Sequence, residues 1–272
     1  MTKTCTSPLR VLVAEDNVVN QMFAVRLIEK QGHIAHVVGN GQLAMDAMLN
    51  EDFDVVLMDI NMPVKNGLEA VQQLRAWEQV LGAHVPVIAV TANASALDRE
   101  KCLATGMDDF ISKPVSAGEL AAALGRVFQE SVCDLPVNAS SDLYEMSSQT
   151  RSACDIPASL KRVNGDEGFL KQLAQLFLET VPAQMTSLKT AVQNGNGRLT
   201  ADLAHSVKGS VRHFFAASAY DAAQRLEFVG QSGNCSVMKG TYDELEVEIQ
   251  RLRTELLDNF PSSHSDIPAS GV

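Results

Sequence analysis

One pattern repeats five times over the first 130 residues of the chain: a short apolar run, then a segment with apolar residues at helical spacing. The runs are LRVLVAE (9–15), HIAHVV (33–38), DVVLMD (54–59), VPVIAVTA (85–92) and DDFIS (108–112). Amphipathic segments lie between them, at about 17–31, 41–50, 67–80, 94–105 and 117–130. This alternation constrains the fold more than any other feature. Runs apolar at nearly every position leave no polar face for water, so helices must cover both sides of the sheet. Strands separated by single helices pair in parallel. The expectation is an α/β fold with a doubly wound, five-stranded parallel sheet. Gly32 and Gly106 stand where helix C-caps fall, and Ser116 with Glu119 forms a capping box.

The pattern then lapses. Residues 131–157, SVCDLPVNASSDLYEMSSQTRSACDIP, are rich in Ser, Asn, Asp and Pro and read as a linker, with a short docked helix around Leu143 to Met146 as the alternative. From 158 to 260 no strand signal is present. Apolar residues recur at three and four along FLKQLAQLFLETV, MTSLKTAV, LAHSVKGSVRHFF and YDAAQRLEFV, and in a last helix carrying Met238, Tyr242, Leu245, Ile249, Leu252 and Leu256. Pro182 and the NGNG at 194–197 divide the first segments. This is an all-α, helical-bundle pattern. The tail 261–272 reads as disordered. A chain of 272 residues accommodates both units, with a first domain at 1–130 and a second at 158–260.

Composition narrows the function classes. A formal net charge of -11 argues against nucleic-acid binding, which favours a basic face. Five scattered cysteines without CxxC spacing suit a reducing compartment and neither a disulfide framework nor a zinc site. The amino terminus lacks a signal-peptide run, and no apolar stretch approaches the ~20 residues of a membrane span. A cytoplasmic protein without membrane insertion is expected, and Met1 close before the first strand suggests a complete chain.

Open parallel sheets bind ligands at the carboxyl ends of their strands. There the sequence places Glu15 and Asp16 after the first strand, Asp59 at the end of the third, Thr91 at the end of the fourth, and Lys113-Pro114 after the fifth. Three converging carboxylates repel unless a cation holds them. Hard oxygen donors of this kind suit Mg²⁺, which keeps its waters and accepts a phosphate. A short hydroxyl and a mobile ammonium suit phosphoryl oxygens. The chemistry indicated is phosphoryl transfer.

Glu15-Asp16-Asn17, Asp59 with Met62-Pro63 and Gly67, Thr91-Ala92 and Lys113-Pro114 together resemble the receiver domain of two-component response regulators, over about residues 8–130. That resemblance implies Asp59 as the phospho-accepting nucleophile. It implies Mg²⁺ on Glu15, Asp16, Asp59 and the backbone carbonyl of Asn61. Thr91 and Lys113 would hold the phosphoryl group, and Phe110 would be the aromatic whose rotamer follows phosphorylation. Val18 and Asn66 depart from the commonest pattern, where a proline and an aspartate are frequent; neither is needed for the chemistry.

In the helical unit, Leu203, Val207, Val211 and Phe214 form an apolar stripe, with His205, Lys208, Gly209 and Arg212 on the opposite side. An exposed histidine is expected, with a cation one turn on and bare backbone beside it. HSVKGS at 205–210, with FLKQLAQLFLE and AAQRLE, resembles a histidine phosphotransfer (HPt) domain, which implies an all-α four-helix bundle. The resemblance implies that His205 takes phosphoryl from an aspartyl phosphate, that Lys208 neutralises it, and that Gly209 lets a receiver come close. Phe215 stands where a small residue is common.

Other readings compete. His213 is an alternative acceptor, whereas His33 and His36 face opposite sides of a strand and do not pair as metal ligands. Asp108-Asp109 reads as loop solvation. GNGQLA at 39–44 fits a dinucleotide-binding fingerprint but follows the second strand and leaves the acidic site unexplained. An aspartyl phosphatase would want an acid at position 61, where Asn61 stands. The reading is a phosphorelay protein that takes phosphoryl from an upstream sensor histidine kinase and passes it to a downstream response regulator. No ATP-binding kinase unit or DNA-binding module is recognised, so it is read as a non-enzyme. The competing class is an adaptor whose helical unit only docks partners. A flexible linker of about 25 residues has a reach of roughly 25–30 Å, compatible with exchange between Asp59 and His205 in one chain or with separate partners.

Overall fold

The computed structural model describes residues 8–82, 84–91, 96–128 and 152–261. The chain divides into two compact units, Met1–Glu145 and Met146–Val272.

In the first unit, β1 (Arg10–Ala14), α1 (Val18–Lys30), β2 (Ile34–Val38), α2 (Gly41–Asn50), β3 (Val55–Asp59), α3 (Gly67–Leu81), β4 (Val87–Thr91), α4 (Ala96–Ala104), β5 (Asp109–Ser112) and α5 (Ala117–Val127) alternate as the apolar runs require. The sheet has five strands in the order β2-β1-β3-β4-β5, and every pairing is parallel. β3 and β4 are buried at every position, which is why their sequences carry no alternation. Asn17 and Asn40 cap α1 and α2, and capping boxes open α3 (Asn66, Glu69) and α5 (Ser116, Glu119). Gly32 and Gly106 take the left-handed backbone (φ +83° and +98°) that ends a helix cheaply only at glycine.

Of the two glycines of GNGQLA, Gly41 has a packing role, whereas a Cβ at Gly39 would meet nothing within 4 Å. The N–H of Gly41 donates to the carbonyl of Lys65 at 3.0 Å, and a Cβ at Gly41 would lie 2.7 Å from that oxygen. Gly41 therefore lets α2 start against the β3–α3 loop. Asp108 and Asp109 are not merely solvated. Asp108 binds Arg75 at 2.7 Å and His84 at 2.9 Å, and Asp109 pairs with Arg126. These bonds tie the loops at the end of the sheet opposite Asp59.

The second unit is helical: α6 (Ile156–Arg162), α7 (Glu167–Gln193), α8 (Gly197–Val211), a 3₁₀ turn (Arg212–Phe214), α9 (Ala217–Ser232) and α10 (Cys235–Asn259). Phe177 and Phe214 meet at its core with ring centroids 5.2 Å apart, and Leu173, Val211, Leu226 and Leu252 of the same unit are buried.

Two expectations fail here. Pro182 does not divide a helix: α7 runs through it. An interior proline costs about 3 kcal/mol, but Pro182 is exposed while Phe177, Val181, Met185 and Leu188 bury the opposite face. Their burial, about 1.5–3 kcal/mol per side chain, outweighs the lost bond. The start at 158 is also too late. Asp155 caps α6 and donates its N–H to the Phe214 carbonyl at 3.0 Å, while the N–H of Ala153 reaches Glu255 at 2.5 Å. Residues 152–157 thus belong to the helical unit. The rest of the linker reading, the Leu143–Met146 alternative and the tail from 262 lie outside the described residues.

Candidate functional site

Parallel pairing brings the carboxyl ends of the strands together, with Ala14 beside Met58, Asp59 beside Val90 and Thr91 beside Ser112. Glu15 and Asp59 are buried there, and Asp16 is half-buried. One carboxylate oxygen from each lies within 4.8 Å of the others. Lys113 Nζ donates to Glu15 Oε2 at 2.6 Å and to Asp59 Oδ2 at 2.7 Å, and the Lys113 N–H donates to the carbonyl of buried Thr91. Asn61, in the loop after β3, donates its N–H to Asp59 Oδ1 at 3.3 Å. Around Glu15, Asn20 Nδ2 donates to Oε1 at 2.8 Å and Gln21 Nε2 to the backbone oxygen at 2.6 Å. Asn20 and Gln21 were not singled out from sequence. The N-cap Asn17, from which α1 starts, is the local signal that aims them back.

The electrostatics follow from burial. Burial raises Glu15 above the ordinary carboxylate range; Lys113 opposes this and Asp59 adds to it. Burial alone would lower Lys113, but Asp59 and Glu15 outweigh it and hold the ammonium well above its usual range. Two of the three carboxylates bond the Lys113 ammonium, and one oxygen from each of the three converges on the same point. A hard divalent cation matches that donor set. Phe110, on β5, is half-buried with the Arg99 guanidinium 5.0 Å from its ring centroid.

The second site is on α8. His205 is less open than its sequence position suggests, with its side chain 13% exposed. Nδ1 lies 2.7 Å from Glu227 Oε1 on α9, and Lys208 Nζ donates to the other Glu227 oxygen. Lys208 is buried, and Leu203 is only half-buried while Ala201 and Ala204 fill the core. The two-sided projection misses this because α8 packs on α9 as well as on α7. α9 comes close through two glycines: a Cβ at Gly230 would stand 2.7 Å from the Gly197 oxygen and 2.8 Å from the Ala201 nitrogen. Gly209 is half-buried beside the histidine.

Glu227, which bonds both His205 and Lys208, is the site residue that sequence reasoning missed. A carboxylate only accepts, so in the neutral imidazole the Nδ1 facing Glu227 carries the proton and Nε2 the lone pair. Burial alone would raise Glu227, but the hydrogen bonds and charges of His205 and Lys208 outweigh it and hold it below the ordinary carboxylate range. Of the other histidines, His213 is buried in the 3₁₀ turn, His33 is buried where its Nδ1 meets the Leu9 N–H at 3.4 Å, and His36 packs edge-on against Phe53.

The family model for the response regulator receiver domain matches residues 11–125, and that for the Hpt domain matches 172–255. The sensor histidine kinase GacS of Pseudomonas protegens is 27% identical over 251 residues, 92% of this chain and 27% of that protein. The virulence sensor protein BvgS of Bordetella pertussis is 27% identical over 268 residues, 96% of this chain and 22% of that protein. The chain therefore spans less than a third of the length of these relatives. A solved receiver domain of a sensor histidine kinase from Pseudomonas aeruginosa, with magnesium coordinated in its active-site cleft, is 36% identical; the match covers 45% of this chain and 99% of that one, with a TM-score of 0.41. Among the described residues, no helix is long and apolar enough to cross a membrane.

Proposed function

The chain joins a response regulator receiver domain to an Hpt domain, and from that premise we propose that it relays phosphoryl groups through Asp59 and His205 without a kinase step of its own. The observation that carries this reading is the pairing, on one chain, of two prepared nucleophiles: Asp59 bonded to Lys113, and His205 bonded to Glu227.

At the first site, an Asp59 carboxylate oxygen attacks the phosphorus of a phosphohistidine on an upstream histidine kinase. A P–O bond forms, the P–N bond breaks, and the imidazole leaves with its electron pair. Lys113 holds a point charge within 2.7 Å of Asp59, where it meets the phosphoryl oxygens, and the Thr91 hydroxyl is the second donor. Glu15, Asp16, Asp59 and the Asn61 carbonyl would hold Mg²⁺, which supplies charge neutralisation for the transferring group.

At the second site, Nε2 of His205 attacks the phosphorus of a receiver's aspartyl phosphate. The P–N bond forms, the P–O bond breaks, and a carboxylate departs. The ring gains positive charge, which Glu227 stabilises through the Nδ1 proton it already holds. Lys208 meets the incoming phosphoryl oxygens, and Gly209 leaves backbone room for the partner. An adaptor would have no use for a histidine oriented in this way.

The test is to incubate wild type, Asp59→Ala and His205→Gln with Mg²⁺ and acetyl phosphate and to follow protein-bound phosphate. Wild type gains a base-labile label that Asp59→Ala lacks. An additional acid-labile label, absent from His205→Gln, marks transfer within the chain. If the wild type takes label on neither residue, the acidic site is not a working receiver. If His205→Gln still passes phosphoryl to a downstream receiver, the relay role of the helical unit is wrong.

A further inference from the structure

α8 sets charged groups along the stripe that carries His205: Arg198, Asp202, His205, Lys208 and, in the helical residue that follows, Arg212. Spacings of three and four stack such residues on one face. Most of these charges are matched. Lys208 donates to Glu227, and Arg198 acts on Asp202, which burial pushes up.

Arg212 differs. It is half-buried and forms no ion pair among the described residues; its guanidinium carbon lies over the Tyr220 ring, 5.7 Å from the centroid. Lys208 Nζ lies 6.0 Å from the same centroid. A continuous line of contacts thus runs from the His205 ring through Glu227, Lys208 and Tyr220 to Arg212. Burial lowers Arg212 from its usual range, so the cation lacks both full hydration and a carboxylate.

A phosphoryl group on His205 would bring up to two negative charges. Lys208 is already offset by Glu227, and Asp202, one turn before His205, adds repulsion. Seven residues of helix separate the two Cα atoms by about 10.5 Å. Long helical side chains lean toward the N-terminus, which carries the Arg212 guanidinium back toward Lys208 and His205. We propose that Arg212 binds the phosphoryl group borne by His205, with Tyr220 holding the guanidinium ready beside it. This rests on the phosphorelay reading of His205.

The test uses the full chain carrying Asp59→Ala, so that the receiver drains no label, phosphorylated with potassium phosphoramidate and titrated by ³¹P NMR. A nearby cation favours the dianion, so Arg212→Gln raises the midpoint of phosphoryl ionisation by about half a pH unit, the size of one unit charge at ~5 Å in water. Arg212→Met, which keeps the apolar stem on Tyr220, does the same, and Arg212→Lys returns the midpoint most of the way to its wild-type value. Arg251→Gln, on α10 where Arg251 pairs with Glu248, controls for net charge and leaves the midpoint in place. A midpoint unmoved in Arg212→Gln and Arg212→Met, or moved equally in Arg251→Gln, overturns the proposal. A label that persists in His205→Gln overturns the phosphorelay reading itself, and the proposal with it.

Discussion

An imidazole on an open helix surface shares its proton between two ring nitrogens, and only one tautomer presents Nε2 as a directed nucleophile. Glu227 Oε1, 2.7 Å from Nδ1, favours that tautomer by accepting its N–H hydrogen bond. A hydrogen bond to a charged group is worth about 1.5–3 kcal/mol, and each 1.4 kcal/mol is tenfold in rate. Glu227→Ala should therefore slow phosphohistidine formation at least about tenfold, with Glu227→Gln less affected because its amide oxygen still accepts. Rates of acid-labile labelling measure both. Glu227 is also a stability group. Its carboxyl is held below the ordinary 4.5 in the folded state, so its contribution is complete above that value and is lost as pH falls through the lower folded value. Acid unfolding of the helical unit should be less steep in Glu227→Gln below about pH 4.5, as followed by circular dichroism. His205, Lys208 and Gly209 were legible as a local pattern on one helix. Glu227 sits 22 residues on, across a helix pair, and periodicity says nothing about which residue of α9 meets which of α8.

At the scale of elements, the His205–Glu227 distance is a helix-packing distance. α8 and α9 approach through Gly197 and Gly230, each with its oxygen near the position where the other's Cβ would stand. Gly230 is one turn beyond Glu227, so whatever moves the crossing moves the carboxylate. Gly230→Ala should destabilise the helical unit by about 1–3 kcal/mol, the usual cost of overpacking, and slow His205 phosphorylation as Glu227 is displaced. Urea unfolding and the labelling assay report the two effects, and a variant that loses neither would show that the crossing has slack. Strands and caps were read closely from sequence because apolar runs and Asn, Ser and Gly signals are local. Pro182 shows where local rules stop. Its penalty is intrinsic to the chain, but the burial that overrides it belongs to α7 packed in the bundle.

For the whole molecule, the two units carry separate cores: Leu12, Val56, Met58 and Ala89 in the first, Phe177, Phe214, Leu226 and Leu252 in the second. The division was legible because the pattern changes from strand–helix alternation to helices alone. The lower boundary of the helical unit was not, since residues 152–155 are held by backbone and carboxylate bonds to distant residues. Separate cores imply separate unfolding transitions, and the acidic site belongs to one of them. A ligand that binds only the native state stabilises it by RT ln(1 + [L]/Kd), about 2.7 kcal/mol at a hundredfold excess over Kd. Mg²⁺ should therefore raise the transition of the α/β unit by several degrees and leave the helical one in place. Asp16→Asn separates metal binding from general ionic effects. It removes a proposed ligand and relieves repulsion among Glu15, Asp16 and Asp59, so the metal-free α/β unit should become more stable while its response to Mg²⁺ shrinks. Calorimetry on both proteins with and without Mg²⁺ decides it. Equal responses in the two proteins, or a shift of both transitions together, would mean that these carboxylates do not form the metal site and that Asp59 works in another electrostatic setting.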